Sequence, residues 1–423
     1  MLVGCIADDL TGATDLAGGL VREGARTMLA IGVPGRTDVV EADAVVIALK
    51  SRSIPAPEAI ELSLDASHWL VDRGAERIYF KYASTFDSTP AGNIGPVTEA
   101  LQAALDVDLT VACPAFPANG RTVHDGHLFV GSDLLADSPM RTHPTNPMLD
   151  SDLVRVLRAQ TSGEVGLVGR RVVAAGAPAI RAALDDLATA GFRHAIVDAT
   201  DDQDVAAIAA AVADDRLVTG GSALGAAIVA ELIGRRTGSI PTRPDPGASP
   251  PSPTRASHGV VIAGSCSPAT LAQIDAFAAR HPVRRIDPRT DIGDANLPEA
   301  ISRWASGRLR EGPVLIASSA GPADVAAIVD QVGPGVGAAI EDTLGRVTAR
   351  LVDDGVDRIV VAGGETSGAV VAALGLRLLE VGAEIEPGVP SVRADGSRDL
   401  RLVLKSGNFG SAGFFEIALA AIS

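Results

Sequence analysis

The first 32 residues, MLVGCIADDLTGATDLAGGLVREGARTMLAIG, contain the pattern that decides the fold. Apolar runs at 2–7 and 27–32 predict two short strands, and the small-residue segment 12–24 between them predicts a helix. A strand, a helix and a strand in this order are typical of a unit whose two strands lie parallel in one sheet. The opening segment therefore predicts an α/β fold.

The same alternation continues along the chain. Further strands are predicted at 44–49, 77–82, 108–113, 165–169 and 194–198. Further helices are predicted at 57–73, 93–105, 151–160, 178–190 and 202–213. This order predicts a mostly parallel sheet that is covered by helices on both faces.

A proline-rich segment, GSIPTRPDPGASPPSPTRASH at 238–258, interrupts the alternation. It has almost no apolar content, which predicts an extended linker between a domain at 1–237 and a domain at 259–423. A long surface loop inside one domain is the other interpretation.

After this segment the pattern restarts. Strands are predicted at 259–263, 283–286, 313–317, 358–362 and 400–404, and helices at 268–280, 297–311, 321–332, 336–354 and 367–374. The expected architecture is two α/β domains with mostly parallel sheets.

Composition excludes several classes of protein. The formal net charge of −16 argues against binding nucleic acid or an anionic membrane through overall electrostatics. Cys5, Cys113 and Cys266 have no disulfide or zinc spacing and are expected to be free thiols. The apolar run at the N-terminus is too short for a signal peptide, and no stretch is long enough for a membrane span. We expect a cytoplasmic protein.

Only three of the 36 lysine and arginine residues are lysines, namely Lys50, Lys81 and Lys405. Each follows an apolar, strand-like run and precedes small or polar residues. These positions correspond to the carboxyl ends of strands, where open α/β sheets bind ligands. The alternative is that three surface lysines survived by chance.

The segment IADDLTGATDLAG at 6–18 places Asp8 and Asp9 between the first strand and its helix. Adjacent carboxylates at this point could coordinate a metal ion, accept a substrate proton or cap the helix. The spacing of an aspartyl-phosphate enzyme is not met.

A second polar segment, KYASTFDSTPAGN at 81–93, connects a predicted strand to a predicted helix. Its density of hydrogen-bonding groups suits a polyhydroxylated or carboxylated ligand, and the alternative is an ordinary capped loop. Arg52, in KSRS, offers a planar fork for a carboxylate. The candidate ligand contacts in this segment are Lys81, Ser84, Thr85, Asp87, Ser88, Thr89 and Asn93.

The segment PAFPANGRTVHDGHLFVG at 114–131 is predicted to be a long loop. Asn119, Arg121, His124 and His127 are candidates to close over a ligand. Two histidines three residues apart also allow a metal site, although no Cys or Glu ligand lies nearby.

Glycine-rich turns follow predicted strands at 219–225, 263–270 and 362–369. Such turns present backbone N–H groups at a helix N-terminus and suit phosphate oxygens, although glycine and serine are also common helix caps. Together with KSGNFG at 405–410 they predict a nucleotide site. No P-loop exists, and GPGVGA at 333–338 follows a helix-like run, which argues against a dinucleotide fingerprint.

Seven motifs in this order resemble the four-carbon acid sugar kinase family, long catalogued as a domain of unknown function, and most of all its 3-oxo-tetronate kinase branch. They are ADDLTGATD, KYASTFDSTPAGNIGPV, PAFPANGRTVHDGHLFV, HPTNPM, GSCSPAT, AGGETSG and LKSGNFG. The resemblance covers essentially the whole chain. It implies an N-terminal domain for the sugar acid and a C-terminal domain for ATP.

The resemblance also implies roles for individual residues. Asp9, Arg52 and the 81–89 loop would contact the substrate, and we add Asp8 and Asn93 from the motifs themselves. The implied ATP contacts are Ser265, Gly363, Gly364, Glu365, Thr366 and Gly407. The reaction would move the γ-phosphoryl group of ATP to the 4-hydroxyl of a 3-oxo-tetronate. Lys405 and Mg²⁺ would supply positive charge, and Asp9 would take the proton.

One departure from the family affects the transfer of residue roles. Related threonate and erythronate kinases have a shorter Lys-x-Asp-Ser-Thr loop, whereas here five residues separate Lys81 from Asp87. Residue roles from those branches are therefore not transferred. The alternatives are a threonate or erythronate kinase, a nicotinamide-dependent oxidoreductase, which lacks a fingerprint turn with a downstream acidic partner, and a non-catalytic sugar-acid sensor, which leaves GGET and KSGNFG unexplained. Substrate stereochemistry, the metal ligands and the choice between a monomer and a homo-oligomer stay open.

Overall fold

A computed structural model describes residues 1–36, 38, 40–142, 146–237, 259–394 and 399–423. The described residues before 238 form one compact unit, and those after 258 form a second. The predicted linker at 238–258 lies outside the described residues. None of the described helices is long and apolar enough to cross a membrane.

The first unit contains eleven of the described strands. They are β1 (Val3–Ala7), β2 (Thr27–Ile31), β3 (Ala44–Ala48), β4 (Ile78–Lys81), β5 (Thr110–Cys113), β6 (Arg121–His124), β7 (His127–Val130), β8 (Asp133–Leu134), β9 (Val165–Val168), β10 (His194–Val197) and β11 (Leu217–Gly220). Its helices are α1 (Leu10–Arg22), α2 (Ala56–Asp72), α3 (Ile94–Leu105), α4 (Leu153–Arg158), α5 (Arg170–Val173), α6 (Ala177–Thr189), α7 (Asp202–Val212) and α8 (Ser222–Thr237).

Eight of these strands form a parallel sheet in the order β2-β3-β1-β4-β11-β5-β10-β9. All five residues of β1 are buried, as expected for a central parallel strand covered on both faces. Strand β11, which was not among the predicted strands, lies between β4 and β5. The sheet confirms the predicted α/β fold.

The second unit contains strands β12 (Gly259–Ala263), β13 (Val283–Arg285), β14 (Val314–Ala317), β15 (Arg358–Ala362), β16 (Leu378–Glu386), β17 (Val389–Ala394) and β18 (Arg401–Lys405). Its helices are α9 (Pro268–Ala278), α10 (Pro288–Asp291), α11 (Leu297–Ser306), α12 (Pro322–Val332), α13 (Val336–Asp353), α14 (Gly364–Ala373) and α15 (Phe414–Ala421).

The strands of the second unit follow the order β13-β14-β12-β15-β18-β17-β16. The first five are parallel, and β17 runs antiparallel to both of its neighbours. On one face, α9 and α15 pack on alternate residues of the central strands and form an apolar core with Phe277, Phe414 and Phe415. The predicted mostly parallel sheet is confirmed, and the β16–β17 hairpin was missed.

Two other sequence-based predictions were wrong in detail, and one helix was missed. The segment 114–131 is not a loop, because β6 and β7 form a hairpin that pairs His124 with His127. Helix α14 begins at Gly364, three residues before its predicted start. The C-terminal helix α15 was not predicted. The rejected fingerprint at 333–338 does connect two helices, α12 and α13.

Candidate active site

In the first unit, polar side chains gather where β1, β3 and β4 end. Asp8 and Asp9 follow β1, and Lys81 is the last residue of β4, paired in register with Ala7. The chain after β3 turns back, so that the backbone N–H groups of Ser51 and Arg52 donate to the Asp8 carbonyl oxygen at 3.0 and 3.2 Å. The parallel register therefore brings Arg52 beside the two carboxylates.

Arg52 forms a bidentate ion pair with Asp8. Its Nε lies 2.8 Å from Asp8 Oδ2 and its Nη2 lies 2.7 Å from Asp8 Oδ1. Nη2 also lies 2.8 Å from Asp9 Oδ1, and Nη1 lies 3.9 Å from Asp87 Oδ2. The sequence predicted that the Arg52 guanidinium group binds a ligand carboxylate, but here its Nε and Nη2 atoms bind the Asp8 carboxylate. Nη1 is the nitrogen that stays open to a ligand.

Asp9 is both the N-cap of α1 and part of the charged cluster. Its Oδ1 accepts a hydrogen bond from Gly12 N at 2.9 Å, and Lys81 Nζ lies 4.0 Å from the same oxygen. Burial acts to raise the pKa of Asp9, but Arg52, Lys81 and the Gly12 N–H together outweigh it and lower the pKa. Burial raises the pKa of Asp8 instead, against the attraction of Arg52. Asp9 is therefore the carboxylate of this pair that is better held in its ionised form.

Glycine at position 12 gives Lys81 its place. A Cβ atom there would overlap the Lys81 ammonium group, so the cation can lie over the first turn of α1 only because no side chain is present. The Lys81 side chain is 5% exposed, which leaves its ammonium group as a buried positive charge at the strand end. A substrate anion would find this charge close to Asp9 and Arg52.

The loop after Lys81 has an unusual backbone. Phe86 has φ of 52°, a left-handed conformation that a bulky residue rarely adopts, and its ring is fully buried against Tyr82. Residues held in this way often mark ligand sites. The conformation turns the chain so that Thr85 Oγ1 donates to Asp87 Oδ1 at 2.5 Å.

Two predicted ligand contacts hold other parts of the chain. Ser88 Oγ donates to Gln160 Oε1 at 3.1 Å. Asn93 Nδ2 donates to the carbonyl oxygens of Ser51 and Ile54 at 2.7 and 2.8 Å. Asn93 therefore positions the loop that carries Arg52. Ser84 and Thr89 are both partly exposed.

In the second unit, the predicted ATP contacts come together at the ends of β12, β15 and β18. The Gly264 and Ser265 N–H groups donate to Ala362 O, and Gly363 N donates to Lys405 O at 2.9 Å. Gly363 has φ of 130°, which favours glycine. Gly364, Glu365 and Thr366 form the first turn of α14, and the N-terminus of a helix suits phosphate.

Gly407, which follows β18, packs against the turn between β12 and α9. A Cβ atom at Gly407 would overlap Ser265 Oγ, so two predicted ATP contacts touch each other. Ser267 Oγ and Thr270 Oγ1 donate to the Gly407 carbonyl oxygen at 2.6 and 2.8 Å. Ser267, the N-cap of α9, and Thr270 were not predicted as contacts of Gly407, although a serine followed by proline is a favoured start of a helix.

Lys405 is almost fully buried at 1% exposure. Its Nζ donates to Ser406 O at 2.9 Å, to Gly407 O at 3.3 Å and to Thr270 Oγ1 at 3.4 Å. Burial lowers the pKa of Lys405 to about 8, and no carboxylate of the described residues offsets this effect. A buried cation that has no carboxylate partner and lies next to a glycine-rich turn is typical of a functional group rather than a stabilising one.

The 114–131 segment contributes a hairpin whose anchor the sequence did not reveal. Buried Asp198, just after β10, accepts hydrogen bonds from the Asp125 and Gly126 N–H groups at 2.7 and 2.9 Å. His127 Nδ1 lies 2.8 Å from Asp125 O. In the part of the chain that the structure describes, no group of three His, Cys, Asp or Glu side chains could hold a metal ion.

Comparison with known proteins agrees with this two-part arrangement. Residues 3–228 match the model of a sugar-binding N-terminal domain, and residues 260–415 match that of a nucleotide-binding C-terminal domain. A Pseudomonas fluorescens protein named 3-oxo-tetronate kinase is 50% identical over 100% of this chain and 97% of its own length. A protein of the same name from Burkholderia multivorans is 47% identical, with the same two coverages.

Solved structures show the same fold. The crystal structure of Haemophilus influenzae protein HI1011 has a TM-score of 0.84 and 43% identity, and the comparison covers 99% of this chain and 100% of that one. The structure of the putative tRNA synthase from Salmonella typhimurium LT2 has a TM-score of 0.88, 41% identity and 98% coverage of both chains.

These findings define a class of protein: two α/β domains, of which the first is a sugar-binding domain and the second a nucleotide-binding domain. The chain belongs to the four-carbon acid sugar kinase family, among relatives that are named 3-oxo-tetronate kinase.

Proposed function

We propose that this protein is an ATP-dependent kinase that phosphorylates the 4-hydroxyl of a 3-oxo-tetronate. One observation carries the proposal, namely the full-length identity of about half with relatives named 3-oxo-tetronate kinase. The clusters at the strand ends support it because one offers charges for a small sugar acid and the other offers a phosphate-binding turn.

The first cluster suits a four-carbon acid. Lys81 Nζ and Arg52 Nη1 are positive groups for the carboxylate, while Asp8 and Asp9 hold Arg52 in place through its Nε and Nη2 atoms. Ser84 and Thr89, which are partly exposed, supply hydroxyl groups for the oxygens of the substrate. Ser88 holds its loop through Gln160, and Asn93 fixes the Arg52 loop. We assign these residues to substrate binding.

Phosphoryl transfer requires alignment of the two substrates and stabilisation of negative charge. The oxygen of the 4-hydroxyl forms a bond to the γ-phosphorus, the bond from that phosphorus to the β,γ-bridging oxygen breaks, and ADP leaves. Ionised Asp9 is our candidate to take the hydroxyl proton. Ser265, Gly407 and the Gly363–Thr366 turn hold the nucleotide, and Lys405 stabilises charge on the transferring group.

Mg²⁺ fits this arrangement as a companion of ATP. Mg²⁺ is commonly bound by one or two carboxylates together with substrate phosphates, so it needs no cluster of three protein ligands. Glu365, in the first turn of α14, is the candidate carboxylate near the phosphates because of its position at the phosphate-binding turn. The ion would neutralise phosphate charge when it is bound.

The test is a screen for ATP consumption with threonate, erythronate and their 3-oxo forms, in both enantiomers. We expect the highest kcat/KM with a 3-oxo-tetronate. A preference for threonate or erythronate would keep the kinase and change the substrate. Hydride transfer to a nicotinamide cofactor without ATP use would contradict the proposal. The buried free thiols Cys5 and Cys113 suit the reducing cytoplasm in which we expect the enzyme to act.

A further inference from the structure

Two serine hydroxyl groups at the end of β14 have no partner. Ser318 and Ser319 are 6% and 8% exposed, and within the described residues neither Oγ atom has a hydrogen-bond partner. Buried hydroxyl groups in proteins are nearly always hydrogen-bonded, because an unpaired one loses its contacts with water without compensation. This pair therefore needs an explanation.

Their position is next to the nucleotide cluster. Strand β14 pairs with β12, and the ladder continues beyond it, because Ser318 N donates to Ala263 O at 2.9 Å. Ala320 N then donates to Cys266 Sγ at 3.4 Å. The segment 318–320 thus lies against the turn that contains Ser265.

The topology places a crevice at this point. Helix α9, which follows β12, packs with α15 on one face of the sheet. Helix α12, which follows β14, leads into α13, and α13 packs with α11 and α14. Where the connections from two adjacent strands leave to opposite faces, open α/β sheets have a ligand crevice at the carboxyl ends of those strands. The β12–β14 pair meets this condition.

We infer that Ser318 and Ser319 bind the ribose hydroxyl groups of the nucleotide, which adds a third wall to the site. This inference rests on the proposed function. The charged end of the site lies at Lys405 on β18, and β14 is three strand spacings away, about 14 Å, a distance that an extended nucleoside triphosphate can span.

The chemistry of the segment agrees with ribose rather than phosphate. The residues from Ser318 to Gly321 contain no charged side chain, whereas Lys405 and the N-terminus of α14 offer positive charge. Neutral hydroxyl groups can both donate to and accept from the hydroxyl groups of a sugar. The nucleoside end of ATP is therefore the part that these serines match.

The experiment measures Kd by calorimetry for ATP, 2′,3′-dideoxy-ATP and inorganic tripolyphosphate. The proteins are the full-length wild type, the S318A/S319A double variant and the control S67A. Ser67 is a buried serine on α2 whose Oγ also has no partner among the described residues, so it matches the change outside the nucleotide domain. We expect the double variant to bind ATP about tenfold more weakly, since each neutral hydrogen bond is worth a few-fold in affinity, and S67A to match the wild type.

Comparing the three ligands on the same protein separates the loss of a ribose contact from misfolding of the variant. The wild type should bind 2′,3′-dideoxy-ATP about tenfold more weakly than ATP, the double variant should bind both equally, and tripolyphosphate binding should not change. Equal affinity of the wild type for ATP and the dideoxy analogue would overturn the inference, and so would an unchanged ATP affinity in a folded double variant. A wild type that binds no ATP would instead overturn the proposed function itself.

Discussion

Replacement of Lys405 by methionine tests whether the buried ammonium group serves catalysis or the fold. Burial lowers the pKa of Lys405 from 10.5 to about 8. Since each pKa unit corresponds to ~1.4 kcal/mol, keeping the group charged at neutral pH costs the folded state roughly 3 kcal/mol. Methionine removes this cost and fills a similar volume.

The same change removes hydrogen bonds, so its effects on stability nearly cancel. Ser406 O loses its Lys405 donor at 2.9 Å, whereas Gly407 O keeps Ser267 and Thr270 as donors. An unpaired buried carbonyl costs about 1–3 kcal/mol. We therefore expect the unfolding free energy of Lys405→Met to stay within about 2 kcal/mol of the wild type at pH 7. We expect kcat to fall ~100-fold, the loss typical of one preorganised transition-state donor.

The pH dependence gives the same test a direction. The wild-type kcat/KM for ATP should fall as pH rises through about 8, because Lys405 of the free enzyme loses its proton there. In Lys405→Arg the guanidinium stays charged, so a partly restored kcat/KM should not fall near pH 8. Between about pH 8 and 10.5 the unfolded lysine binds more protons than the folded one, so Lys405 should make wild-type stability rise with pH in this window. Steady-state kinetics with urea unfolding at each pH measures both effects. A Lys405→Met variant that keeps its kcat and loses several kcal/mol of stability would refute the catalytic role.

Three further substitutions test the two sites separately. Arg52→Lys keeps a positive charge but cannot hold Asp8 through two nitrogens. The KM for the sugar acid should therefore rise about tenfold or more while the KM for ATP stays unchanged. An equal rise in both KM values would place Arg52 outside the sugar-acid site. Gly407→Ala puts a Cβ atom onto Ser265 Oγ and should weaken ATP binding alone. Gly337→Ala is the matched control, because Gly337 lies on α13 with open space around it. Sugar-acid binding that weakens as much as ATP binding would contradict the assignment. Asp9→Asn removes the proton acceptor, but the asparagine side chain can still accept a hydrogen bond from Gly12 N as an N-cap. We expect kcat to fall by about 100-fold with little change in thermal stability. A kcat near that of the wild type would assign the proton to another group.

Much of the fold could be predicted because local patterns and global fold agree. The strands β12 and β15 begin and end at their predicted residues, since each is an apolar run bounded by polar or glycine residues. The alternation of helices and parallel strands did not predict the two hairpins, β6–β7 and β16–β17. Asp125-Gly126 between RTVH and HLFV, and Pro387-Gly388 before β17, are turn signals that predict hairpins and were not used.

The site could be predicted as a set of motifs but not as a set of contacts. Asp8, Arg52 and Lys81 were identified by residue type and strand position. The contact between Arg52 and Asp8 depends on the register of β1 with β3 and on a turn that Asn93 holds. Both the ion pair and the Asn93 hydrogen bonds join residues that are about 40 positions apart in the sequence. The burial of Lys405 and the unpaired hydroxyl groups of Ser318 and Ser319 depend on packing that no local pattern encodes.

The central claim concerns the atom that receives the phosphoryl group, and ³¹P–¹H correlation NMR of the reaction product tests it most directly. With Mg²⁺, ATP and 3-oxo-tetronate, the product phosphorus should couple to the two C4 protons, and ADP should form in equal amount. Coupling to the C2 proton, or ATP hydrolysis to free phosphate without a phosphorylated acid, would contradict the account.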